Sequence, residues 1–583
     1  MKKIRLATTI TLTASYLLSG CSDQFLVRVP QGTYSPSATQ NAQGVEALLT
    51  GAYGQLDGIP VPGSEWQGAV SNWVFGGITS DDAYKGTDAG DQPEQTALER
   101  YVWVTTNQHV RGKWGALYNG VARANLVLQG IPKATDLSAT RRVQIRAEAR
   151  FLRGFYLLEA KKMWNNIPYI DEKTYDPQDG NSTKVPNTDN AWPKIEADFQ
   201  AAIDSLPEQF AGEPGRATKW SAIGMLAKAK MFQAFDPYTG APNTAALQAA
   251  KVLLDQIINS NRFALADQYG YNYSAAPANR NNKESIFEVQ YSVTAAADGG
   301  GGAGDDLAWP YNAGPGGCCG FYQPSQNLVN AFKTDANGLP MPTTFNDTDV
   351  TNDEGIKSNQ PFTPYAGTLD PRLDHTVGRR GIPYKDWGIH AGYDWIRDQA
   401  YAGPYSPLKH IPEKAYSGTS AGNIKRSGNN YRYLRYDHIL LWAAEVETEI
   451  GSLETARTYV NQIRTRAGNP AGFVKTSDGK PAANYVIGLY TAPWTDKAAA
   501  RQAVRFEERL EFGMEGTRFF DLVRWGIAEP TLNAYVAKEQ LKRTFLNGAQ
   551  FKKNQNEYFP IPQQEIINST SNGKATLVQN QGY

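Results

Sequence analysis

The chain has 583 residues, of which 41% are hydrophobic and 11% aromatic, and its 58 basic residues balance 58 acidic ones. This balance argues against a nucleic-acid-binding protein, which would carry an excess or a stripe of positive charge. The mean hydropathy of −0.49 and the lack of a long apolar run beyond the N-terminus exclude a bundle of membrane-spanning helices. The 31 Tyr and 13 Trp residues need a place in a core, an interface or a sugar-stacking surface.

The first 20 residues have the pattern of a secretory signal peptide. Three basic residues within the first five precede a moderately apolar segment, and the small residues Ser19 and Gly20 lead directly into Cys21. Small residues before a cysteine are typical of bacterial lipoproteins, so we expect residues 1–20 to be removed and Cys21 to carry lipid. An ordinary secretory signal with an incidental cysteine is the alternative. Ser22 favours the outer membrane over retention in the inner one.

A polar, lipidated tether is expected over residues 21–40, followed by helices that recur in pairs. Apolar residues at helical spacing predict helices at 45–56, 110–126, 138–164, 192–206, 218–231, 247–258, 432–450, 453–467 and, as a pair, within 496–525. Units of about 34 residues suggest tetratricopeptide-like hairpins that bury one face against each neighbour. The predicted fold is mostly α, a superhelical scaffold with one helical region at 41–264 and another at 431–583.

Two regions, 58–106 and 265–430, lack helical periodicity. Alternation within Ser285–Val293 predicts a strand, but Gly, Pro and aromatic residues dominate the rest. Long irregular segments inside a folded protein are usually functional or disordered, and the aromatic content argues against disorder. We therefore expect 265–430 to be a loop-rich ligand-binding insertion.

Catalytic motifs are present only as weak matches. Gly418–Gly422 matches G-x-S-x-G but lacks the flanking strand and helix of a nucleophile elbow. The G-x-G-x-x-G match at Gly299–Gly304 is a glycine run without a following helix. The five histidines are scattered. Glu507, Glu508 and Glu511 alternate with arginines, which indicates an ion-pair lattice on a helix rather than paired catalytic acids.

No cofactor is expected apart from the lipid on Cys21. Calcium is conceivable at Asp347, Asp349 and Asp353, but the spacing fails the EF-hand pattern. The lack of a C-x-x-C pair argues against zinc or an iron–sulfur cluster. Cys318 and Cys319 are adjacent, so a vicinal disulfide is open to them in an oxidising compartment.

Four ordered motifs resemble those of the RagB/SusD family of nutrient-uptake outer-membrane lipoproteins. They are the C-S-D-x-F-L start at Cys21–Leu26, the R-x-E-R-R-x-E-F signature and its continuation over Arg505–Gly526, the F-P-I-P motif within Tyr558–Ile566, and the closing Q-N-P-G-Y at Gln579–Tyr583, where Gln581 replaces the proline. The resemblance implies a helical body that caps a TonB-dependent, SusC-like β-barrel transporter as a hinged lid. It also implies capture of glycan or peptide without catalysis, by a lipid-anchored protein that faces the cell exterior.

A glycan site needs aromatic faces for the C–H surfaces of sugars and fixed polar groups for their hydroxyls. The irregular regions offer Trp66, Trp73, Asp81, Asp82 and Tyr84 in the first, and Trp309, Tyr311, Cys318, Cys319, Tyr322, Arg380, Trp387, Tyr393 and Trp395 in the second. A disulfide between Cys318 and Cys319 would form either an apolar plate for a sugar or a structural lock. The two aspartates would bind hydroxyls or simply turn the chain.

Three alternatives to glycan capture stay open. A peptide-capturing member of the same family would use acidic and amide loops rather than aromatic rings. A secreted glycosidase would need two carboxylates about 5–10 Å apart in a cleft. A pure scaffold would have no cleft formed by loops.

Overall fold

The computed structural model describes residues 39–58, 65–292, 302–418 and 425–583. The signal peptide, Cys21, nearly all of the tether, half of the Gly299–Gly304 motif and all but the first residue of Gly418–Gly422 lie outside these ranges. Within them, no helix has the length and apolar character needed to cross a bilayer.

Eight helices precede the long irregular region in the described part of the chain. They are α1 (Ala42–Gly54), α2 (Glu65–Gly68), α3 (Pro93–Glu99), α4 (Gln108–Gly130), α5 (Ala139–Trp164), α6 (Trp192–Ser205), α7 (Lys219–Met231) and α8 (Thr244–Asn259). Polar N-caps fix their starts: Ser138 accepts a bond from Arg141 N at the start of α5, and Thr218 forms a capping box with Ser221 at α7.

The irregular region holds short elements only. Its helices are α9 (Gln326–Ala331), α10 (Leu373–Thr376) and α11 (Gln399–Ala402). The strands of the described chain are β1 (Ala83–Gly86), β2 (Ser285–Val289), β3 (Phe321–Pro324), β4 (Val377–Gly378), β5 (Ser406–Pro407), β6 (Tyr431–Arg435), β7 (Thr570–Ser571) and β8 (Lys574–Ala575). The predicted strand at 285–293 is therefore present in its first five residues.

The C-terminal region returns to helix. Its helices are α12 (Tyr436–Ile450), α13 (Leu453–Ala467), α14 (Lys497–Phe512), α15 (Arg518–Arg524), α16 (Ala528–Glu539) and α17 (Gln563–Asn568). Only two residues separate α12 from α13, so these two helices form a hairpin.

The helices form one continuous row. Each of α4 to α7 packs on its successor, and α8 then packs on α12, which in turn packs on α13 and α14. Glycines permit the closest approaches: a Cβ atom at Gly120 would lie 2.6 Å from the Tyr156 ring. The predicted stack of tetratricopeptide-like helical hairpins is confirmed, and the loop-rich region is an insertion between two neighbours in that row.

Two antiparallel ladders fix the insertion to the scaffold. Strand β2, near its start, pairs with β6, just after its end. Strand β1, from the first irregular region, pairs with β3, so that Tyr84 lies opposite Gln323. The two regions that the sequence shows as separate irregular segments therefore meet in one structure.

The insertion also has a small hydrophobic core of its own. It consists of Trp309, Tyr384, Trp395, Leu408 and Ile411, with Trp387 and Ala391 packed against it. Burial of aromatic rings stabilises a segment that has little regular secondary structure. Several aromatic residues of the loops therefore pack in a hydrophobic core, as the aromatic residues of the helices do.

The two C-terminal motifs hold the chain end against α5. Phe559 is fully buried, its backbone N–H donates to Met163 O, and its ring stacks on Trp103 at 4.1 Å. The amide of Asn580 donates to Trp164 O and Phe559 O, both at 2.8 Å. These motifs are therefore structural clasps.

Candidate functional site

Gly320 marks the point where the two irregular regions come together at the surface. A Cβ atom there would lie 3.4 Å from Tyr311 Cβ and 3.8 Å from Arg397 Cβ. Thr87, which follows β1, donates its N–H to Gly320 O. Residues from three distant segments are thus neighbours around one glycine.

Tyr311 and Arg397 form the first part of this surface. The Arg397 guanidinium lies 5.3 Å from the centre of the half-buried Tyr311 ring. It pairs with Asp88 at 2.6 Å and with Asp91 at 2.7 Å, and each of these three side chains is 31% exposed. The pairs hold a cation, two carboxylates and a ring together where solvent can reach them.

The adjacent cysteines form the middle of the surface. A disulfide joins Cys318 to Cys319, and Gly316, Gly317 and Gly320 around it have φ of 82°, 65° and 78°, a region that favours glycine. Lys425 Nζ lies 3.5 Å from Cys319 Sγ and 3.9 Å from Cys318 Sγ. Cys318 is half-buried, whereas Cys319 is buried. The Cys318 end of the disulfide is therefore the more exposed one.

Asp306 connects this part to Trp66. The indole Nε1 of Trp66 donates to Asp306 Oδ1 at 2.8 Å, and Arg426, next to Lys425, lies 3.7 Å from Asp306 Oδ2. The ring of Trp66 is half-buried. We use the name loop surface for this chain of neighbours: Trp66, Asp88, Asp91, Asp306, Tyr311, Cys318, Cys319, Arg397, Lys425 and Arg426.

Five of the aromatic residues proposed from the sequence offer no free ring face in this structure. They are Trp73, Tyr84, Trp309, Tyr322 and Trp395, all 8% exposed or less. Trp73 donates its Nε1–H to Gly304 O at 2.8 Å, Tyr84 binds Glu539, and Trp309 and Trp395 belong to the core of the insertion. We withdraw these five as ligand contacts, because core packing already covers their rings. Trp387 also packs on this core and donates to Pro412 O.

Asp81 and Asp82 are buried and bind arginines of the C-terminal signature. Arg509 lies 3.1 Å from a carboxylate oxygen of each, and Arg518 Nε lies 2.8 Å from Asp81 Oδ1. Burial alone would raise the pKa of Asp81, but the guanidinium groups of Arg509 and Arg518 lower it to about 2. The expectation that these carboxylates meet ligand hydroxyls is therefore replaced by a structural role.

Arg380 and Tyr393 lie in a different part of the insertion. Arg380 donates to Ile356 O at 3.1 Å and to Ser358 O at 2.9 Å, so it fixes the preceding loop. Tyr393 is half-buried, and Lys357 Nζ lies 5.2 Å from its ring centre. Within the described ranges, no hydrogen bond, ion pair or ring contact joins Arg380 or Tyr393 to the loop surface.

The glutamates of the signature helix bind arginines far away in sequence. Glu507 lies 2.7 Å from Arg372 and 2.9 Å from Arg464, and Glu508 lies 3.0 Å from Arg524. Ion pairs are present, but the pairs expected along one helix are not: the glutamates bind arginines of other elements instead of Arg505 and Arg509. These pairs stabilise tertiary contacts.

Glu284, Asp437 and Glu511 are the carboxylates of the described chain close enough to share a metal ion. Arg466 binds Glu284 at 3.0 Å and also Glu511, and Arg435 binds Asp437 at 2.8 Å. The positive charges that a metal would bring are already supplied by arginines. At the suggested calcium loop, Asp349 pairs with Lys542 at 2.9 Å.

Sequence reasoning missed Asp88, Asp91, Asp306, Arg397, Lys425 and Arg426. None stands in a motif, and the bond from Arg397 to Thr87 that brings their segments together spans 310 positions. The available signal was indirect: both irregular regions were expected to carry function, and the β1–β3 ladder brings them together.

Comparison with known proteins agrees with this architecture. The model of the SusD family matches residues 283–583, and a second family model, described as starch-binding associating with outer membrane, matches residues 79–231. A SusD-like protein of Bacteroides ovatus is 21% identical over 88% of this chain and 82% of its own length. SusD-like protein P2 of Formosa agariphila is 23% identical over the full length of both chains.

Solved structures share the fold. A laminarin binding SusD-like protein superposes with a TM-score of 0.64 at 21% identity, over 93% of this chain and 100% of its own. Surface glycan-binding protein A from Bacteroides thetaiotaomicron, in complex with laminarihexaose, has a TM-score of 0.65 at 21% identity, over 93% and 99%. The helical row, the insertion and a family match over more than half of the sequence lead to one conclusion: the chain belongs to the SusD family.

Proposed function

We propose that this protein captures an oligosaccharide or polysaccharide at the loop surface. The observation that carries the proposal is the juxtaposition of the half-exposed Tyr311 ring with Arg397, Asp88 and Asp91. A sugar ring presents an apolar face that an aromatic ring can cover, while charged groups bind its hydroxyls through hydrogen bonds stronger than those between neutral groups. Two proteins of the same fold are a laminarin binding SusD-like protein and a surface glycan-binding protein.

The disulfide and Lys425 extend this surface. The exposed side of Cys318–Cys319 is apolar and sits among glycines that leave room for a ligand close to the backbone. Lys425 and Arg426 supply donors beyond it, and Trp66 closes the far end beside Asp306. The row would fit a chain of sugar units better than a single compact molecule.

The proposed activity is binding without hydrolysis. A glycoside hydrolase needs one carboxylic acid free to protonate the leaving group, whereas Asp88 and Asp91 both bind the same guanidinium. We also propose that Cys21 carries lipid, that the protein faces the cell exterior on the outer membrane, and that it delivers glycan to a TonB-dependent, SusC-like β-barrel transporter. The family membership and the outer-membrane description of the second matching family model support this placement.

Calorimetry on the full chain in detergent, titrated with a panel of oligosaccharides including laminarihexaose, tests the proposal. We expect binding to at least one glycan, and loss of at least about tenfold in affinity for Tyr311→Ala. Tyr459→Ala serves as the control, because Tyr459 is a half-buried tyrosine on α13. Binding of oligopeptides but of no glycan would favour peptide capture. New reducing ends during incubation would contradict the non-catalytic reading.

A further inference from the structure

Three arginines lie along one face of α14, and only two of them have acidic partners among the described residues. Arg501, Arg505 and Arg509 are spaced by four residues, so they share that face. Arg501 binds Glu449 through Nε at 2.5 Å and Nη2 at 2.8 Å, and Arg509 binds Asp81 and Asp82. Arg505, which lies between these two arginines on the helix face, differs from both.

No ion pair joins the Arg505 side chain to a residue in the described ranges, and its buried Nε has no hydrogen-bond partner there. Its guanidinium lies 5.0 Å from the ring centres of both Phe235 and Trp525, two rings that are themselves buried. Burial lowers its pKa to about 10, so it is charged at neutral pH. The rings hold the guanidinium in place without using its hydrogen-bond donors.

This guanidinium lines an open groove of about 610 Å³, a volume in the range of ligand sites. The groove is lined by Asp81, Pro342, Phe345, Ala498, Ala499, Arg501, Gln502, Arg505, Phe506, Arg509, Arg518, Trp525, Ile527 and Thr531. It shares no residue with the loop surface. Its charged lining is four arginines against one carboxylate, and its remaining walls are mostly apolar.

We propose that this arginine groove is a docking site for an acidic segment of a partner polypeptide. A Glu or Asp side chain of that segment would form two parallel hydrogen bonds with Arg505, whose planar fork matches a carboxylate. Apolar side chains beside it would lie on the half-buried Phe345, whose ring contacts the buried Phe506 at 5.5 Å between ring centres. A peptide can place a carboxylate and an apolar side chain a few ångström apart, so it can occupy both parts of the groove. A free anion would bind the arginine but leave the apolar wall uncovered.

An arrayed library of acetylated pentapeptides with a central Glu, beside a matched library with a central Gln, tests this docking site. The full chain in detergent is the probe protein, and hits are measured by calorimetry. We expect hits among the Glu peptides that lose about tenfold or more in affinity in the Gln series, because a charge-assisted pair is lost. R505Q should lose the same factor, and R505K should lie between because it keeps the charge without the fork.

Controls separate docking from folding. Arg457, a half-buried arginine on α13 that pairs with the exposed Glu454 at 2.7 Å, provides the matched variant R457Q, which should bind normally. If R505Q does not fold, Phe345→Ala tests the groove from a segment outside α14. Equal affinity for Glu and Gln peptides, unchanged affinity in both groove variants, or Arg505-dependent binding of oligogalacturonate instead of peptides would overturn the proposal. None of these results bears on glycan binding at the loop surface.

Discussion

Arg509, in the last turn of α14, binds Asp81 across 428 positions of sequence: Nη2 lies 3.1 Å from the Asp81 carboxylate and 3.0 Å from its backbone carbonyl. Arg518, in the next helix, pairs with the same carboxylate at 2.8 Å. The most recognisable motif of the chain therefore fastens the first irregular region to the C-terminal helices. This motif is linked to the loop surface through strand β1, which begins directly after Asp82.

Asp81→Asn should be strongly destabilising, because it takes from Arg518 the carboxylate that it binds and leaves Arg509 with Asp82 alone. Breaking a buried ion pair from one side costs about 3–5 kcal/mol. Urea unfolding monitored by circular dichroism measures this loss. The control is Glu454→Gln at the exposed pair with Arg457, which should leave the midpoint unchanged. An equally small shift for Asp81→Asn would show that the pair is not a structural clasp.

Acid should weaken the fold through Glu515. Burial would raise the pKa of this carboxyl, but Arg435 and Lys409, at 2.7 and 2.9 Å, lower it to about 2. The unfolded chain, with a Glu pKa of about 4.3, then binds more protons than the folded one between these values. The contribution of Glu515 is complete above about pH 4.3 and disappears as the pH falls towards 2.

The measurement is the free energy of unfolding in urea between pH 2 and 5, for the native chain and Glu515→Gln. The native chain should lose stability more steeply with falling pH than the variant, whose remaining slope reports the other carboxylates. Parallel curves would contradict the assignment of a lowered pKa to Glu515.

The helical scaffold could be predicted from sequence because apolar spacing reports directly on helix faces. Every predicted helix has a counterpart, but α12 begins only at Tyr436, because residues 432–435 of the predicted helix belong to strand β6. The residues of the ligand site were harder to predict from the sequence. A lack of periodicity correctly indicated irregular backbone at Trp309, whereas Trp73 begins a short π-helix over Trp73–Gly77. Neither backbone implies exposure, and both rings are buried.

The polar part of the loop surface could not be predicted for a different reason. Asp91 and Arg397 meet only because β1 pairs with β3 and the insertion folds over its own aromatic core. No local pattern encodes such a contact, so these residues require the tertiary structure. The place of Tyr311, Cys318 and Cys319 in ligand binding stays a prediction.

The vicinal disulfide should be part of the glycan site. Alkylation before reduction should label neither Cys318 nor Cys319, and alkylation after reduction should label both, as read by peptide mass spectrometry. Cys318→Ala/Cys319→Ala should weaken glycan affinity about tenfold through loss of the apolar contact, with little change in the thermal midpoint. Unchanged affinity together with a large drop in stability would instead identify the disulfide as a structural lock.

Phe559→Ala should test the C-terminal clasp. Removing a fully buried phenylalanine ring costs about 3–5 kcal/mol, and Phe559 also stacks on Trp103 and faces Phe75 at 5.4 Å. Val578→Ala, at a side chain that is 57% exposed, should have almost no effect on the urea midpoint. Similar small effects for both substitutions would mean that the tail contributes little to the fold.

Hydrogen–deuterium exchange on the full chain, with and without a saturating glycan found by calorimetry, tests the central claim most directly. The account predicts slower exchange in peptides that cover Asp306–Gly320 and Arg397, with no change along α4, which forms part of the scaffold. Protection confined to the helical row, with unaltered exchange around Tyr311 and Cys318–Cys319, would contradict the assignment of glycan binding to the loop surface.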